Sequence, residues 1–234
     1  VDMGTLAQSQ GNLSTSLAGK LAGVVAIQKT GEPGASADFW IRGVSTFGAN
    51  STPLILVDGV ERSMDMVDTE DIASLSILKD ASATAIYGSR AANGVVMITT
   101  RKGKRGDAKI TYDGSFSVSQ FTKRYDMMNL KEYAQYVNDK AVIEAFKSEP
   151  DVLLTNPDVL GEGTDWQDEL FRNGIGHSHQ VSASGGTDKT TYNISLGYTG
   201  QEGVMLSSDY KRINGRVNLE TQAKDWMKVG MNVG

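Results

Sequence analysis

His177 and His179 are the two histidines of this 234-residue chain and the first candidates for chemistry. Residues i and i+2 of a strand share one face, so this spacing offers two imidazoles to one metal ion. The chain has no cysteine, and no third ligand lies near the pair in the sequence. We therefore expect no metal site and interpret both histidines as facing water or a polar lumen.

An acidic run is the second candidate, because clustered carboxylates bind cations. It consists of Asp65, Asp68, Glu70 and Asp71. The run lacks the order of acidic, amide and glycine residues that a calcium loop requires. A solvated loop or the start of a helix explains the same residues, since acidic side chains favour helix N-termini.

No group of residues predicts catalysis or a bound cofactor. Gly19 and Lys20 would indicate a phosphate loop only if Ser or Thr followed, and Leu21 stands there instead. The G-x-S-x-G pattern of a hydrolase nucleophile is absent from the sequence. We expect neither enzymatic activity nor a cofactor.

The composition excludes further classes of function. The formal net charge is −5 and no cluster of Lys or Arg lies on a predicted helix face, so nucleic acid is not an expected partner. The absence of cysteine excludes disulfides and thiol catalysis. No apolar run approaches the roughly 20 residues of a membrane-spanning helix, but the alternating strands of a membrane barrel would escape that criterion.

The sequence pattern changes at the charged, glycine-containing segment 102–107. The preceding residues predict a mixture of helices and strands. The expected elements are a helix on Leu13, Leu17 and Leu21 behind Asn12, strands at 24–28, 39–43, 53–59, 72–79 and 94–100, and a helix at 81–88 between Asp80 and Gly88. In the strand at 72–79, alternation places Ile72 opposite Leu75.

The residues after this segment predict about five long strands with one apolar and one polar face. They lie near 109–119, 179–185, 190–200, 210–220 and 226–234. Most connections between them are short, but the one from 120 to 176 is long. It contains a helix in which Asn129 and Glu132 form a capping box.

The sequence of the strand at 190–200 does not determine what its apolar face contacts. Tyr192, Ile194, Leu196 and Tyr198 alternate with Asn193, Ser195, Gly197 and Thr199. The apolar face fits either the core of a soluble sandwich or lipid. Arg212, Arg216 and Glu220 share one face of the next strand, and they require bulk water or a polar lumen unless they are paired.

The longest motif is "LKDASATAIYGSRAANGVV" at 78–96, and it follows "LAGKLAGVVAI", an "IRG" element and "PLILVDGV". This succession resembles the plug domain of TonB-dependent outer-membrane transporters. It is similar in particular to the SusC/RagA group of Bacteroidetes glycan importers. Residues 16–103 match throughout, and later segments such as "GTDWQDELFRNG" resemble the first barrel strands of that group.

The resemblance implies a small α+β plug domain at 1–105. Residues 106–234 would then form the first antiparallel strands of a roughly 22-stranded transmembrane β-barrel. Five strands cannot close such a barrel, so we expect the chain to be part of a longer protein, or to be held by other chains. The apolar face of residues 190–200 is then lipid-facing, and its polar face lines the lumen.

The resemblance also implies a function, which is active import of nutrients across the bacterial outer membrane with the plug as gate. Oligosaccharides are the leading substrate class, and peptides are the alternative. The expected partners are a SusD-like surface lipoprotein, TonB with its inner-membrane motor proteins, and outer-membrane lipid. A surface adhesin that binds a ligand without transport is the competing hypothesis, because strand alternation alone would allow it.

Two sets of site residues follow from the resemblance. The loop at the plug apex offers an aromatic ring, hydroxyls and an amide to substrate, through Ser45, Thr46, Phe47, Asn50 and Ser51. Contacts within the plug or with the barrel wall are expected at Arg42, Gly43, Asp58, Gly59 and Arg90. Asn193 and Ser195 are expected to tolerate arginine better than Ile194 or Leu196.

Overall fold

The computed structural model describes most of the chain. The described residues are 12–20, 23–41, 43, 52–79, 85–145 and 156–234. They form two parts. We call the part that ends at residue 105 the N-terminal unit, and the five-stranded sheet that begins at Gly106 the long sheet.

The N-terminal unit begins with a short helix and a pair of strands. Helix α1 spans Leu13–Ser16, and strand β1 (Val24–Gln28) pairs antiparallel with β2 (Ala37–Ile41). The leucine spacing predicts a longer helix, but residues 17–20 form turns. Asn12 precedes α1 without capping it, because its side-chain amide donates to the carbonyl of Gly34 at 2.6 Å.

Four further strands form the second sheet of the unit. They are β3 (Leu54–Val57), β4 (Val60–Glu61), β5 (Ile72–Leu78) and β6 (Val95–Thr100), in the order β4-β3-β6-β5. β3 and β6 are parallel, and the other neighbours are antiparallel. Asp58 and Gly59 form the turn between β3 and β4 with φ of +49° and +85°, as a type I′ hairpin requires.

A bulge changes the faces of β5. The register shifts between Ile72 and Ser74, and both Ile72 and Leu75 are buried, with 1% and 8% of their surface exposed. The prediction that these two side chains point to opposite faces was therefore wrong. Residues three apart normally face opposite sides of a strand, but the one extra residue of a bulge brings both to the same side.

A 3-10 helix at Ala85–Ala91 lies where the sequence predicts the end of an α-helix. Gly88 is non-helical with φ of +68°, as expected for a residue that ends a helix, and a second short 3-10 segment follows the kink. The expected N-cap Asp80 and residues 81–84 lie outside the described residues.

The N-terminal unit has its own hydrophobic core, in which α1 and both small sheets meet. Its buried members are Leu13, Leu17, Phe39, Ile41, Val57, Met64, Val67, Ile72, Leu75, Val96 and Ile98. A second, smaller cluster contains Leu56, Ala91 and Val95, so the apolar periodicity of the first hundred residues corresponds to two packed clusters.

The long sheet is an antiparallel meander. Its strands are β7 (Gly106–Ser119), β8 (Gly174–Gly186), β9 (Thr190–Glu202), β10 (Asp209–Lys224) and β11 (Met227–Val233). Each strand pairs with the next along the chain, and β7 and β11 are the edges. The prediction of about five long strands is confirmed.

The connections of the long sheet differ between its two ends. Residues 187–189 and 225–226 are short turns at one end, whereas 120–173 and 203–208 are longer connections at the other. The longest connection carries α2 (Leu130–Ala145) and α3 (Trp166–Leu170). Asn129 and Glu132 form the expected capping box, with N–O distances of 3.0 and 2.8 Å. None of the helices in the described ranges is long and apolar enough to cross a membrane.

The two faces of the long sheet have opposite character. Along β9, Ile194 and Leu196 are 46% and 63% exposed, whereas Asn193 and Ser195 are 6% and 3% exposed. The apolar face is therefore the outer face, and the polar face is covered by the N-terminal unit. This arrangement is the reverse of a soluble sandwich, in which the apolar face would be buried.

Residues 101–105 connect β6 to β7 and cross the long sheet closely. At Gly103 an added Cβ would overlap the backbone nitrogen and oxygen of Tyr192 in β9. A glycine at this position therefore lets the two chain segments approach each other directly.

Candidate functional site: the contact between the N-terminal unit and the long sheet

Arg216 is the central residue of the contact between the two parts. It lies on the inner face of β10 and is 5% exposed. Its Nε lies 3.6 Å from Asp71 Oδ2, and its Nη1 lies 3.9 Å from Asp58 Oδ2. Both carboxylates belong to the N-terminal unit, so one guanidinium of the sheet faces two acidic groups of the unit. We call these three residues the charged triad.

Asp58 is held by hydrogen bonds from both parts of the protein. The amide and the hydroxyl of Thr100 donate to it at 2.9 and 2.6 Å. The side-chain amide of Asn232, in β11, donates to its Oδ2 at 2.6 Å. Burial alone would raise the pKa of Asp58, but these donors and Arg216 together hold that pKa below its ordinary value.

Asp71 has the opposite electrostatic character. It ends the 3-10 helix Thr69–Asp71, is 4% exposed, and accepts a hydrogen bond from Gln180 Nε2 of β8 at 2.7 Å. Burial raises the pKa of Asp71 above its ordinary value, because the carboxylate has lost water on nearly every side. The ionised form is therefore disfavoured at the place where it faces Arg216.

Several buried polar atoms at this contact have no hydrogen-bond partner among the described residues. They include Gln180 Oε1, both side-chain amide atoms of Asn214, and Arg216 Nε. A buried polar atom without a partner costs about 1–3 kcal/mol. These unpaired atoms therefore make the contact less stable than a fully hydrogen-bonded contact would be.

Further polar contacts surround the charged triad. Glu220 of β10 accepts from Lys102 and Lys228, each at 2.6 Å. Arg212 donates to the backbone carbonyl of Asp65 at 2.7 Å. The sequence predicts that charged residues on this face of β10 are either paired or solvated, and in the structure they are paired.

The structure describes four of the site residues that the sequence predicts. Asp58 and Gly59 form the β3–β4 turn at the contact, and Gly43 is half-buried with φ of +89°. Arg90 is exposed and pairs with Glu61 inside the N-terminal unit, not with the long sheet. The other six residues lie outside the described residues and are Arg42, Ser45, Thr46, Phe47, Asn50 and Ser51.

Two sequence interpretations need correction. Asp68 caps the 3-10 helix by accepting from the Glu70 amide, so the acidic run is a helix start, but Asp71 at its end is buried rather than solvated. His177 and His179 do not face the lumen, because the neighbouring Gln180 points inward to Asp71. The histidine rings lie on the outer face, 5.4 Å apart between centroids, with Tyr112 donating or accepting at His179 Nδ1.

Sequence reasoning missed Asp71, Gln180 and Asn232 as contact residues. The signal at Asp71 was its place at the end of an acidic run directly before an apolar strand. The signal at Gln180 and Asn232 was an amide side chain on the polar face of a strand whose other face is apolar. Among the described residues, no group of three or more His, Asp or Glu side chains is placed to hold a metal ion.

Comparisons with known proteins agree with this geometry. Residues 3–95 match the family described as TonB-dependent Receptor Plug Domain. The chain is 41% identical over 233 residues to the TonB-dependent receptor SusC of Bacteroides thetaiotaomicron, an alignment that covers 94% of this chain and 22% of SusC. This chain belongs to the TonB-dependent receptors. The N-terminal unit corresponds to the plug domain, and the long sheet to the first strands of the receptor's barrel.

Other TonB-dependent receptors show the same likeness. The TonB-dependent receptor P3 of Formosa agariphila is 38% identical over 218 residues, covering 93% of this chain and 20% of P3. The structure of the RagAB peptide importer in the open-open state superposes with a TM-score of 0.85 at 33% identity, covering 99% of this chain and 29% of that chain. The chain thus spans about a fifth of the length of the curated relatives that it matches.

Proposed function

We propose that this chain forms part of a receptor that imports nutrients actively across the bacterial outer membrane. The plug is its gate, and the long sheet is the adjoining part of the barrel wall, called the wall below. The plug closes the lumen of the barrel, and solute passes when the plug changes its contact with the wall. TonB, driven by its inner-membrane motor proteins, supplies the force from the plug's N-terminal side. A SusD-like surface lipoprotein is the expected partner on the outside.

The single observation that carries this proposal is the inverted arrangement of the long sheet. Its apolar side chains are exposed on the outer face, and its inner face meets the plug through buried polar groups. An apolar outer face suits lipid. A polar, incompletely satisfied inner contact suits a plug that moves.

The charged triad gives the gate a physical mechanism. In the closed state Arg216 faces Asp58 and Asp71, and both carboxylates lie on the plug. When the plug moves, water enters the lumen and reaches all three side chains. Each charged group then exchanges its ionic partner for water. The triad is therefore a contact that water replaces at little cost once separation begins.

Oligosaccharides are the proposed substrate class, with peptides as the alternative. The resemblance to the SusC/RagA group of glycan importers, with 41% identity to SusC, supports the first, and the likeness to a structure described as a peptide importer supports the second. Ser45, Thr46, Phe47, Asn50 and Ser51 remain proposed substrate contacts at the plug apex. Arg42, Gly43, Asp58, Gly59 and Arg90 remain proposed plug contacts.

Uptake by cells tests the proposal. A host strain that lacks the gene for the full-length receptor is compared with the complemented strain for uptake of labelled oligosaccharides and labelled peptides. We expect uptake of one class to require both the receptor and TonB. Surface binding that is equal with and without TonB, and no uptake, would contradict import and favour the adhesin hypothesis.

A further inference from the structure

A cavity of about 210 Å³ lies between the plug and the wall, apart from the charged triad. The plug contributes the segment 67–70 together with Asn12 and Gly34. The wall contributes inward-facing residues of β7, β8, β9 and β10. The cavity therefore has one side on each of the two parts that the proposed gate separates.

The cavity lies toward the end of the wall that carries the longer connections. Thr199 and Gln201 are near the end of β9 that leads into residues 203–208, and Tyr210 and Arg212 are at the start of β10. In outer-membrane barrels the longer connections are extracellular and the short turns periplasmic. The cavity is thus on the side from which a solute arrives.

The lining of the cavity mixes acceptors and donors. Asp68, Glu70 and Asp113 provide three carboxylates, and Arg212, Gln201 and Tyr210 provide a guanidinium, an amide and a phenol ring. The carboxylates are too dispersed for a metal ion, since the described residues contain no acidic group of metal-binding geometry. Dispersed acceptors and donors fit a ligand that carries many hydroxyl groups, because each hydroxyl both donates and accepts.

Part of this hydrogen-bonding capacity is unused. Within the described part of the chain, the side chains of Asp113, Thr199 and Gln201 make no hydrogen bond or ion pair. Burial and the neighbouring charge of Asp113 raise the pKa of Glu70 despite the nearby Arg101, so further hydrogen-bond donors would stabilise these carboxylates. Hydroxyl groups of a ligand would supply those donors.

We propose that this cavity binds one sugar unit of a hydroxyl-rich solute, held between plug and wall. Its volume is below the roughly 300–1,000 Å³ of pockets for larger ligands, which fits a single ring rather than an oligosaccharide chain. The proposal rests on the proposed import function and adds to it a described site. None of its lining residues belongs to the segment 44–51, for which substrate contacts are proposed from the resemblance alone.

The position of the cavity gives its occupant a route to the charged triad. Asp68 and Glu70 belong to the same short segment as Asp71, in which Asp68 caps the 3-10 helix Thr69–Asp71. A ligand that draws Glu70 toward the wall acts on the segment that ends at Asp71. Occupancy of the cavity is thereby coupled to the contact that keeps the plug in place.

Calorimetric titration of the full-length receptor in detergent tests the site. The probes are D-glucose, D-galactose and D-mannose, each alone, with trilysine as a cationic peptide. We expect at least one hexose to bind, and Asp113→Ala and Gln201→Ala each to weaken it by about tenfold or more, since each removes a ligand hydrogen bond. Asp107→Ala, which removes a carboxylate from the same strand outside the cavity, is the matched control and should not change the affinity.

Each contrary result overturns the site. No hexose binding to the wild-type receptor would do so, as would hexose binding that both cavity variants leave unchanged. Binding of trilysine alone, lost in Asp113→Ala, would replace the sugar with a cationic ligand. If TonB-dependent uptake continues in a receptor that does not bind hexose, the site is rejected and the import function stands. If hexose binds but no uptake occurs, the import function is rejected and the site stands.

Discussion

At the scale of single residues, Arg216 and Asp71 show how a charge can be buried without being well satisfied. Both side chains are at most 5% exposed, and their closest approach is 3.6 Å rather than a short hydrogen bond. Breaking a buried pair by removing one partner is more damaging than removing both, because the remaining charge stays desolvated. The pair is therefore a sensitive place for substitution.

Arg216→Ala should weaken the plug–wall contact by about 3–5 kcal/mol, since it leaves Asp71 buried without its cation. The double variant Arg216→Ala with Asp71→Asn should recover part of that loss. The measurement is protection of plug amides from hydrogen exchange in the full-length receptor. Arg90→Ala is the control, because the exposed pair with Glu61 contributes about 0–1 kcal/mol. Equal effects of Arg216→Ala and Arg90→Ala would contradict the central role of Arg216.

The two aspartates should respond to pH with opposite signs. Hydrogen bonds lower the pKa of Asp58, so its contribution to plug docking is present at neutral pH and is lost as pH falls through that lowered pKa, below about 4. Burial raises the pKa of Asp71, so docking weakens as pH rises from about 4 through that raised pKa.

Asp71→Asn separates these two effects. Docking of the wild-type plug should weaken as pH rises above about 4. The variant should lack this pH dependence, because the asparagine side chain does not titrate. Hydrogen exchange of plug amides across this pH range, corrected for intrinsic exchange rates, measures it. A variant profile that parallels the wild type would show that Asp71 does not titrate there.

At the scale of elements, the long strands were predictable and the short segments were not. Residues 192–199 of β9 alternate between an apolar and a polar face, and this period-2 signal needs no knowledge of neighbouring strands. The bulge in β5 depends on one residue, and no local pattern predicts it. The acidic run indicated the helix start at Thr69–Asp71 but not the burial of Asp71. For this reason sequence analysis found Asp58, which lies in a recognisable turn, and took Asp71 for a solvated residue.

The two faces of β9 should respond differently to arginine. Ile194→Arg should lower the free energy of unfolding from a bilayer by about 2–4 kcal/mol, because it places a charge on the face expected to meet lipid. Unfolding of the receptor from lipid vesicles measures the difference from Ile194→Leu. A cost below about 1 kcal/mol would contradict a lipid-facing position.

Ser195→Arg tests the inner face, where the structure revises the sequence expectation of tolerance. Ser195 is 3% exposed beneath the plug, so an arginine there must displace the plug. We expect normal insertion of the barrel into membranes and loss of hydrogen-exchange protection in the plug. Retained protection would show that this face has room that the structure does not contain.

The hairpin glycine and a core glycine of the plug offer a matched comparison. Gly94→Ala combines a positive φ of +94° with a Cβ that would lie 2.7 Å from Ile41 Cδ1, whereas Gly59, with φ of +85°, has open space around it. Both changes strain the backbone by about 1–2 kcal/mol, and only Gly94→Ala adds overlap with the core, at about 1–3 kcal/mol more. Thermal unfolding of the receptor should therefore respond more to Gly94→Ala, and an equal response would contradict the packing around Gly94.

At the scale of the whole molecule, the plug and the wall meet in one polar seam that runs from the cavity past the charged triad to Asn232. The chain has no cysteine, so an introduced pair is unique within it. Asp58 and Asn232 are suitable positions, since their side chains touch at 2.6 Å across the seam.

The double variant Asp58→Cys with Asn232→Cys tests whether import requires the seam to open. A short reversible thiol crosslinker should abolish uptake by joining plug to wall, and reduction of the crosslink should restore it. The same variant without crosslinker is the control for the loss of the native hydrogen bond. Uptake that continues at full rate in the crosslinked receptor would show that solute passes without separation at this point.

The connection at residues 101–105 limits how far any such separation can go. Five extended residues span at most about 18 Å, and Gly103 already lies against the backbone of β9. The connection therefore keeps this edge of the plug within that distance of the wall during any movement of the plug.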